Sequence, residues 1–385
     1  MKIEQSRWAR AGGWQSGPPR GRHDANLVFL FGTGAVLNDQ ELLQTVRRAY
    51  PQAHLLGCST AGEICGTSVT DDSLVVTAAA FAHARVHGAC INVSGPADSQ
   101  QAGAALMAAL PRREPETQEP LAHVFVLSDG LHVNGSELVR GLTGAAPPGV
   151  TVTGGLAGDG AAFGRTRVLW QERCESQLIA AVGFYGRRLK VGFGSLGGWD
   201  PFGPERLVTR AAGNVLYELD GQSALALYRK YLGEHAAELP ASGLLFPLSL
   251  RVAGNDGTPV VRTILSVNDA DQSMTFAGDI PVGSHVRLMK ANFDRLIDGA
   301  TAAASTCHVV LGPTSAELAV LISCVGRRLV LKQRVEEEVE GVRDVLGPQT
   351  VLAGFYSYGE ISPFVPGAKC ELHNQTMTIT TLAEC

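Results

Sequence analysis

No stretch of this chain approaches the ~20 consecutive apolar residues that a spanning helix requires, although hydrophobic residues make up 45% of its 385 positions. The apolar content is instead cut into short runs, as in buried strands and amphipathic helices, so no membrane association is expected. Dense Lys/Arg runs are also missing, and the net charge is −5. Nothing there would neutralise a phosphate backbone, which excludes nucleic acid as an expected partner. The eight cysteines are scattered without a C-x-x-C pair, a usage that points to reduced thiols in a cytoplasm rather than to a disulfide frame. Cys385 lacks a C-a-a-X box. The first 25 residues are polar, mixed with Gly and Pro, and have no signal-peptide core. They read as a flexible tail.

What the chain does have is glycine, 45 residues of it, and the glycines are patterned. Gly57-Cys58-Ser59-Thr60-Ala61-Gly62-Glu63-Ile64 and Gly354-Phe355-Tyr356-Ser357-Tyr358-Gly359-Glu360-Ile361 share the frame G-x4-G-E-I. Each copy follows a helical pattern and a strand and leads into another strand. Asn26–Phe31, a helix carrying Leu42, Leu43 and Val46, and His54–Cys58 make up the first unit. Asn38 and Glu41 suggest its capping box, and Ser73–Val86 reads as one long strand after it. The order recurs at His123–Leu127, Ser136–Leu142 and Val150–Thr153, where the turn is the looser Gly158-Asp159. It recurs again from Leu318 through a helix with Val335, Val339 and Val342 to the strand Thr376–Leu382. The expectation is an α/β protein with mixed sheets built from repeated strand-helix-strand-strand units. At this length two domains are expected, 26–214 and 215–385, the boundary following the change of pattern near Asp220-Gly221.

Several chemical motifs can be weighed by spacing. Gly192 to Gly197 fits G-x-G-x-x-G, but two prolines follow where a phosphate-binding helix would have to open. Around Cys58 the second glycine comes one residue too late for a G-x-S-x-G elbow. Cys58 as a thiolate nucleophile and Cys58 as a buried strand-end thiol both remain open at this point. Glu63 and Glu360 either face a cleft, where they would hold an amine or guanidinium, or accept local N–H bonds in their own turns. Tyr356 and Tyr358 offer stacking faces and hydroxyls to a ligand, or fill the core. The ten histidines show no zinc spacing, and His373 is read as either a structural imidazole or an axial ligand.

These residues carry a family resemblance. L-L-G-C-S-T-A-G-E-I at 55–64, L-S-D-G-L at 127–131, T-G-G-L-A-G-D-G at 153–160, G-F-Y-S-Y-G-E-I-S-P at 354–363 and H-N-Q-T at 373–376 resemble the FIST sensory proteins. The resemblance implies a cytosolic signal-transduction protein that binds a small ligand. Its expected ligand-binding residues are Cys58, Ser59, Thr60, Glu63, Asp159, Tyr356, Tyr358 and Glu360. Many relatives carry an output domain. This chain leaves no length for one, so it is expected to signal through a separate protein such as a histidine kinase, with self-association left open. It also looks like the stand-alone branch that senses nitric oxide through haem. That likeness implies noncovalent haem b with His373 as the iron ligand. The alternatives are a haem-free receptor holding an amino acid through Ser59, Thr60, Glu63 and Glu360, and an enzyme using Cys58.

Overall fold

The computed structural model describes residues 1–15, 17–21, 24–239, 241–252, 259–364 and 367–385. Its body is a three-sided prism of mixed sheets, and each side is built on one repeat. The first repeat supplies the parallel strands Leu27–Gly32 and His54–Ser59, joined by the helix Gln40–Ala49. The second supplies Leu121–Ser128 and Thr151–Leu156, joined by Gly135–Ala145. The third supplies Leu318–Cys324 and Val351–Ser357, with the helices Val325–Leu331 and Val335–Leu346 between them. In every repeat a later strand returns antiparallel beside the first: Ser73–Ala80, Leu178–Tyr185 and Met377–Glu384.

The turn after the second strand does something that strand patterns do not show. It sends a short strand into a neighbouring sheet. Glu63–Cys65 of the first repeat pairs with Val351–Ser357 of the third. Gly359–Pro363 of the third pairs with Thr151–Leu156 of the second, and Val168–Trp170 of the second pairs with His54–Ser59 of the first. The exchange is cyclic and closes the prism.

Both faces of these sheets are covered, which explains why the strands are apolar throughout rather than alternating. Phe29, Phe31, Phe125, Phe184, Ile322 and Phe355 point inward and fill the prism axis. Val28 and Leu30 point outward against Leu42, Leu43 and Val46 of the first helix. The cap of that helix is Asp39, whose carboxylate accepts from Glu41 N and Leu42 N at 3.0 and 3.2 Å, one residue after the expected Asn38. Asn134 and Asn292 cap the helices Gly135–Ala145 and Phe293–Leu311 in the same way.

Two expectations need correction. The N-terminal segment is not a tail: Lys2–Ala9 pairs along its whole length with Ser73–Ala80. Residues 16, 22 and 23 of that segment lie outside the described residues. The physical reason is the open edge of Ser73–Ala80, which in the other two repeats is covered by Arg85–Asn92 and Leu189–Leu196. The predicted long strand Ser73–Val86 is two strands in different sheets, Ser73–Ala80 and Arg85–Asn92. Between them the Glu384 carboxylate accepts from the backbone N–H groups of Ala82, His83 and Ala84 at 2.7–2.8 Å, turning the chain.

The remaining body, residues 200–290, is inserted in the third repeat between Leu189–Leu196 and the helix Phe293–Leu311. It is an eight-stranded sheet covered on one face by the helix Ala224–Leu232, with its own core of Leu225, Tyr228, Leu248, Met274, Phe276 and Leu288. Among the described residues no helix is long and apolar enough to cross a membrane.

Candidate functional site

The two G-x4-G-E-I turns meet directly. Ala61 N donates to Tyr356 O and Tyr356 N to Gly62 O, both at 2.8 Å, so the turns interlock beside the axis. Gly62 has φ +131° and lies under Arg328, which spans to Asp71 and to Ala61 O. The carboxylates line none of the described cavities. Glu63 accepts from Thr60 Oγ1 and, on its other oxygen, from Ser73 Oγ at 2.7 Å and Ser73 N at 3.2 Å. Glu360 repeats the arrangement with Ser357 Oγ at 2.6 Å, Thr376 Oγ1 at 2.9 Å and Thr376 N at 3.2 Å. Each acid thus seats the start of the returning strand, at Ser73 and at Thr376 next to Met377, just after a left-handed residue: Asp72 at φ 50° and Gln375 at φ 63°.

Burial raises the pKa of both acids against those hydrogen bonds. Glu63 is pushed up to about 7 and Glu360 to about 8. In the second repeat the equivalent acid is Asp129, from the end of the first strand. It accepts from Gln177 N at 2.7 Å, where Gln177 has φ 57°, and from Leu131 N and Thr166 Oγ1. Burial alone would raise its pKa, but the backbone donors outweigh burial and hold it below the usual carboxylate range.

Other expected site residues are also enclosed. Cys58 is fully buried, and burial pushes its thiol well above the ordinary value, the reverse of what a nucleophilic thiolate needs. Ser59 Oγ accepts from Arg167 N. Tyr356 OH donates to Glu338 at 2.6 Å, inside a network with the buried pair Arg327–Glu338.

Tyr358 and Asp159 stand apart from this group. Tyr358 OH donates to Asp159, and Asp159 Oδ2 accepts from Gly164 N and Arg165 N at 2.9 and 2.6 Å. Together they clamp the long turn 157–167 so that the Phe163 ring stacks on Tyr358, with centroids 4.5 Å apart. Phe163 then faces the inserted sheet across a cavity of about 530 Å³ whose wall includes Leu244, Ile264, Leu265, Leu329 and Val330. Lys332, Glu238 and Ser242 supply its polar positions. A smaller space of about 170 Å³, bounded by Tyr358, Leu156 and Phe276, shares Phe163 and Leu265 with it. Phe163, Leu265 and Leu329 are 36%, 39% and 37% exposed, an unusual state for large apolar side chains that converge on one place. Sequence reasoning missed all three. The only available signal was the length of the second turn, where the repeat loosens.

The haem expectation can be tested on these residues. A haem site needs an apolar slot beside a His, Cys, Tyr or Met. His373 is fully buried, Nε2 lies 2.7 Å from Ser362 O, and the ring packs on Phe364 at 4.0 Å. Nδ1 lacks a partner, but His373 lines none of the described cavities. Conversely, among the described residues no His, Cys, Tyr or Met lines the large cleft. Neither place fits haem. Among the described residues no cluster of three His, Cys, Asp or Glu could hold a metal ion.

Comparison with known proteins adds the family. No curated protein matches the chain. A solved structure, cyanuric acid hydrolase from A. caulinodans, aligns over 99% of both chains at 10% identity and a TM-score of 0.37. That score is too low to carry fold or function across. Residues 26–222, more than half of the chain, match the FIST N domain, and residues 224–363 match the FIST C domain. The chain therefore belongs to the FIST family, whose domains are signal-transduction sensory modules that bind small ligands.

Proposed function

We propose that this protein is a receptor for a small, mainly apolar molecule bound in the cleft between the prism and the inserted sheet. The observation that carries the reading is the convergence of three half-exposed apolar side chains, Phe163, Leu265 and Leu329, on one cavity of about 530 Å³. That size lies within the range of ligand pockets, which are typically apolar with a few polar groups. The cleft draws its walls from the second repeat, the third repeat and the inserted sheet, so a bound molecule touches parts that can shift relative to one another. Signalling then requires different affinities for two arrangements of those parts, since equal affinity would transmit nothing. The output passes to a separate protein, for which a histidine kinase is the partner that the family resemblance implies.

An amino acid held by Ser59, Thr60, Glu63 and Glu360 is less well supported, because those groups are buried and already hydrogen-bonded to neighbouring protein groups. Haem-based nitric-oxide sensing is less well supported for the reasons of fit at His373. Thermal unfolding with a panel of small apolar metabolites, indole among them, tests the reading. A molecule at a hundred times its Kd stabilises by about 2.7 kcal/mol, and Leu265→Asp should abolish the shift. A panel that stabilises wild type and Leu265→Asp equally would sink the assignment.

A further inference from the structure

A second cleft borders the inserted sheet, and its chemistry differs from that of the first. Strands Leu248–Arg251 and His285–Lys290 pair with Ser249 opposite Arg287 and Arg251 opposite His285. Alternation buries Leu248, Leu250, Val286 and Leu288 in the core of the inserted domain. The opposite face therefore presents Ser249, Arg251, His285 and Arg287 as a two-by-two block, close enough across the strands to act on one ligand. That block lines a cavity of about 380 Å³ whose apolar side is Trp199, Val261 and Met289.

The charges around the cavity do not cancel. Glu205 also lines it, and its two oxygens are engaged with Arg251 Nη2 at 2.9 Å. Arg287 donates only Nε, to Gly203 O at 2.8 Å, and no carboxylate among the described residues lies within ion-pair distance of it. Its two Nη groups have no partner among the described residues and can bind a planar anion in the fork geometry that guanidinium favours.

We propose that this second cleft binds a small carboxylate carrying an apolar body. The carboxylate pairs with the Arg287 guanidinium, Ser249 Oγ–H supplies a further donor, and the apolar body lies on Trp199 and Met289. The site is independent of the apolar cleft and does not rest on its ligand.

Isothermal titration of the full chain with 3-phenylpropionate and with its uncharged counterpart 3-phenylpropionamide tests the proposal. Saturable binding of the carboxylate is expected, with the amide weaker by about tenfold or more, as for loss of a hydrogen bond to a charged group. Arg287→Gln, a change at an exposed side chain, should weaken the carboxylate by a similar factor. Arg287→Lys should keep the preference for carboxylate over amide, and Leu265→Asp in the apolar cleft should leave the Kd within about twofold. The proposal is overturned if neither probe binds saturably, if acid and amide bind alike, if Arg287→Gln binds as wild type, or if Leu265→Asp abolishes binding.

Discussion

The first and third repeats handle their turns in one way and the second in another. In the first, Thr60 to Gly62 alone separate the second strand from the strand that leaves for the neighbouring sheet. In the third, only Tyr358 does. Both turns end in a glutamic acid that reaches back to seat the returning strand. The second repeat moves that acid to Asp129 on the preceding strand, which frees the turn to lengthen to 157–167 and carry Phe163 into the cleft. The copies that agree are structural locks. The copy that departs from the pattern lines the apolar cleft.

The comparison can be broken at several points. The largest effect is expected at the third repeat, where Arg327 and Glu338 are both fully buried and paired at 2.7 Å. Arg327→Ala leaves an uncompensated buried carboxylate and should cost about 3–5 kcal/mol in urea unfolding. A loss below about 1 kcal/mol would show that this repeat is not rigidly pinned. Next come the three seating acids. Glu63→Ala, Asp129→Ala and Glu360→Ala should each cost about 1–3 kcal/mol by stranding buried donors. A silent Asp129→Ala would remove its equivalence to the two glutamates.

A smaller effect distinguishes the locks by pH. Glu63 and Glu360 are protonated in the fold up to about 7 and about 8, so the native state holds protons that the unfolded chain has already released. Stability therefore falls as pH rises toward those values. Buried His123 and His373, pulled down by burial to about 3 and about 4, act in the opposite sense, but only below their ordinary value of 6.5. Between pH ~6.5 and ~8 the acids dominate, and stability should decline by up to about 1.4 kcal/mol per pH unit per group. Denaturant midpoints across that range should show the decline in wild type and lose it in a Glu63→Gln/Glu360→Gln variant. The smallest stability effect is expected for Phe163→Ala, within about 0.5 kcal/mol because the ring is partly exposed. That variant should nonetheless weaken any molecule whose thermal shift depends on Leu265. Unchanged binding would remove the long turn from the site.

Much of this organisation was legible in the sequence, for physical reasons. The three repeats showed because buried parallel strands are written as apolar runs, and because turns such as Gly62-Glu63 require glycine. The helices at Gln40–Ala49, Gly135–Ala145 and Val335–Leu346 showed through their apolar spacing. The exchange of Glu63–Cys65, Val168–Trp170 and Gly359–Pro363 between sheets did not show, because a three- to five-residue strand carries no mark of which neighbour it will join. Lys2–Ala9 was missed because its residues are only half-buried on an outer strand and so mix charge with apolar positions. The enclosure of the two acids was hidden for a related reason. Glu63 and Glu360 look available in sequence, whereas their partners Ser73 and Thr376 are supplied by strands that the turn itself positions.

The cyclic loan of strands has a bearing on how the molecule can be divided. The family's two domains meet between residues 222 and 224, yet Leu189–Leu196 from one completes a sheet of the other. Glu63–Cys65 and Gly359–Pro363 cross the same divide in both directions. A protein cut there would leave ladders without mates on each piece, and such bare margins recruit foreign chains. The halves named by sequence are thus not separable devices.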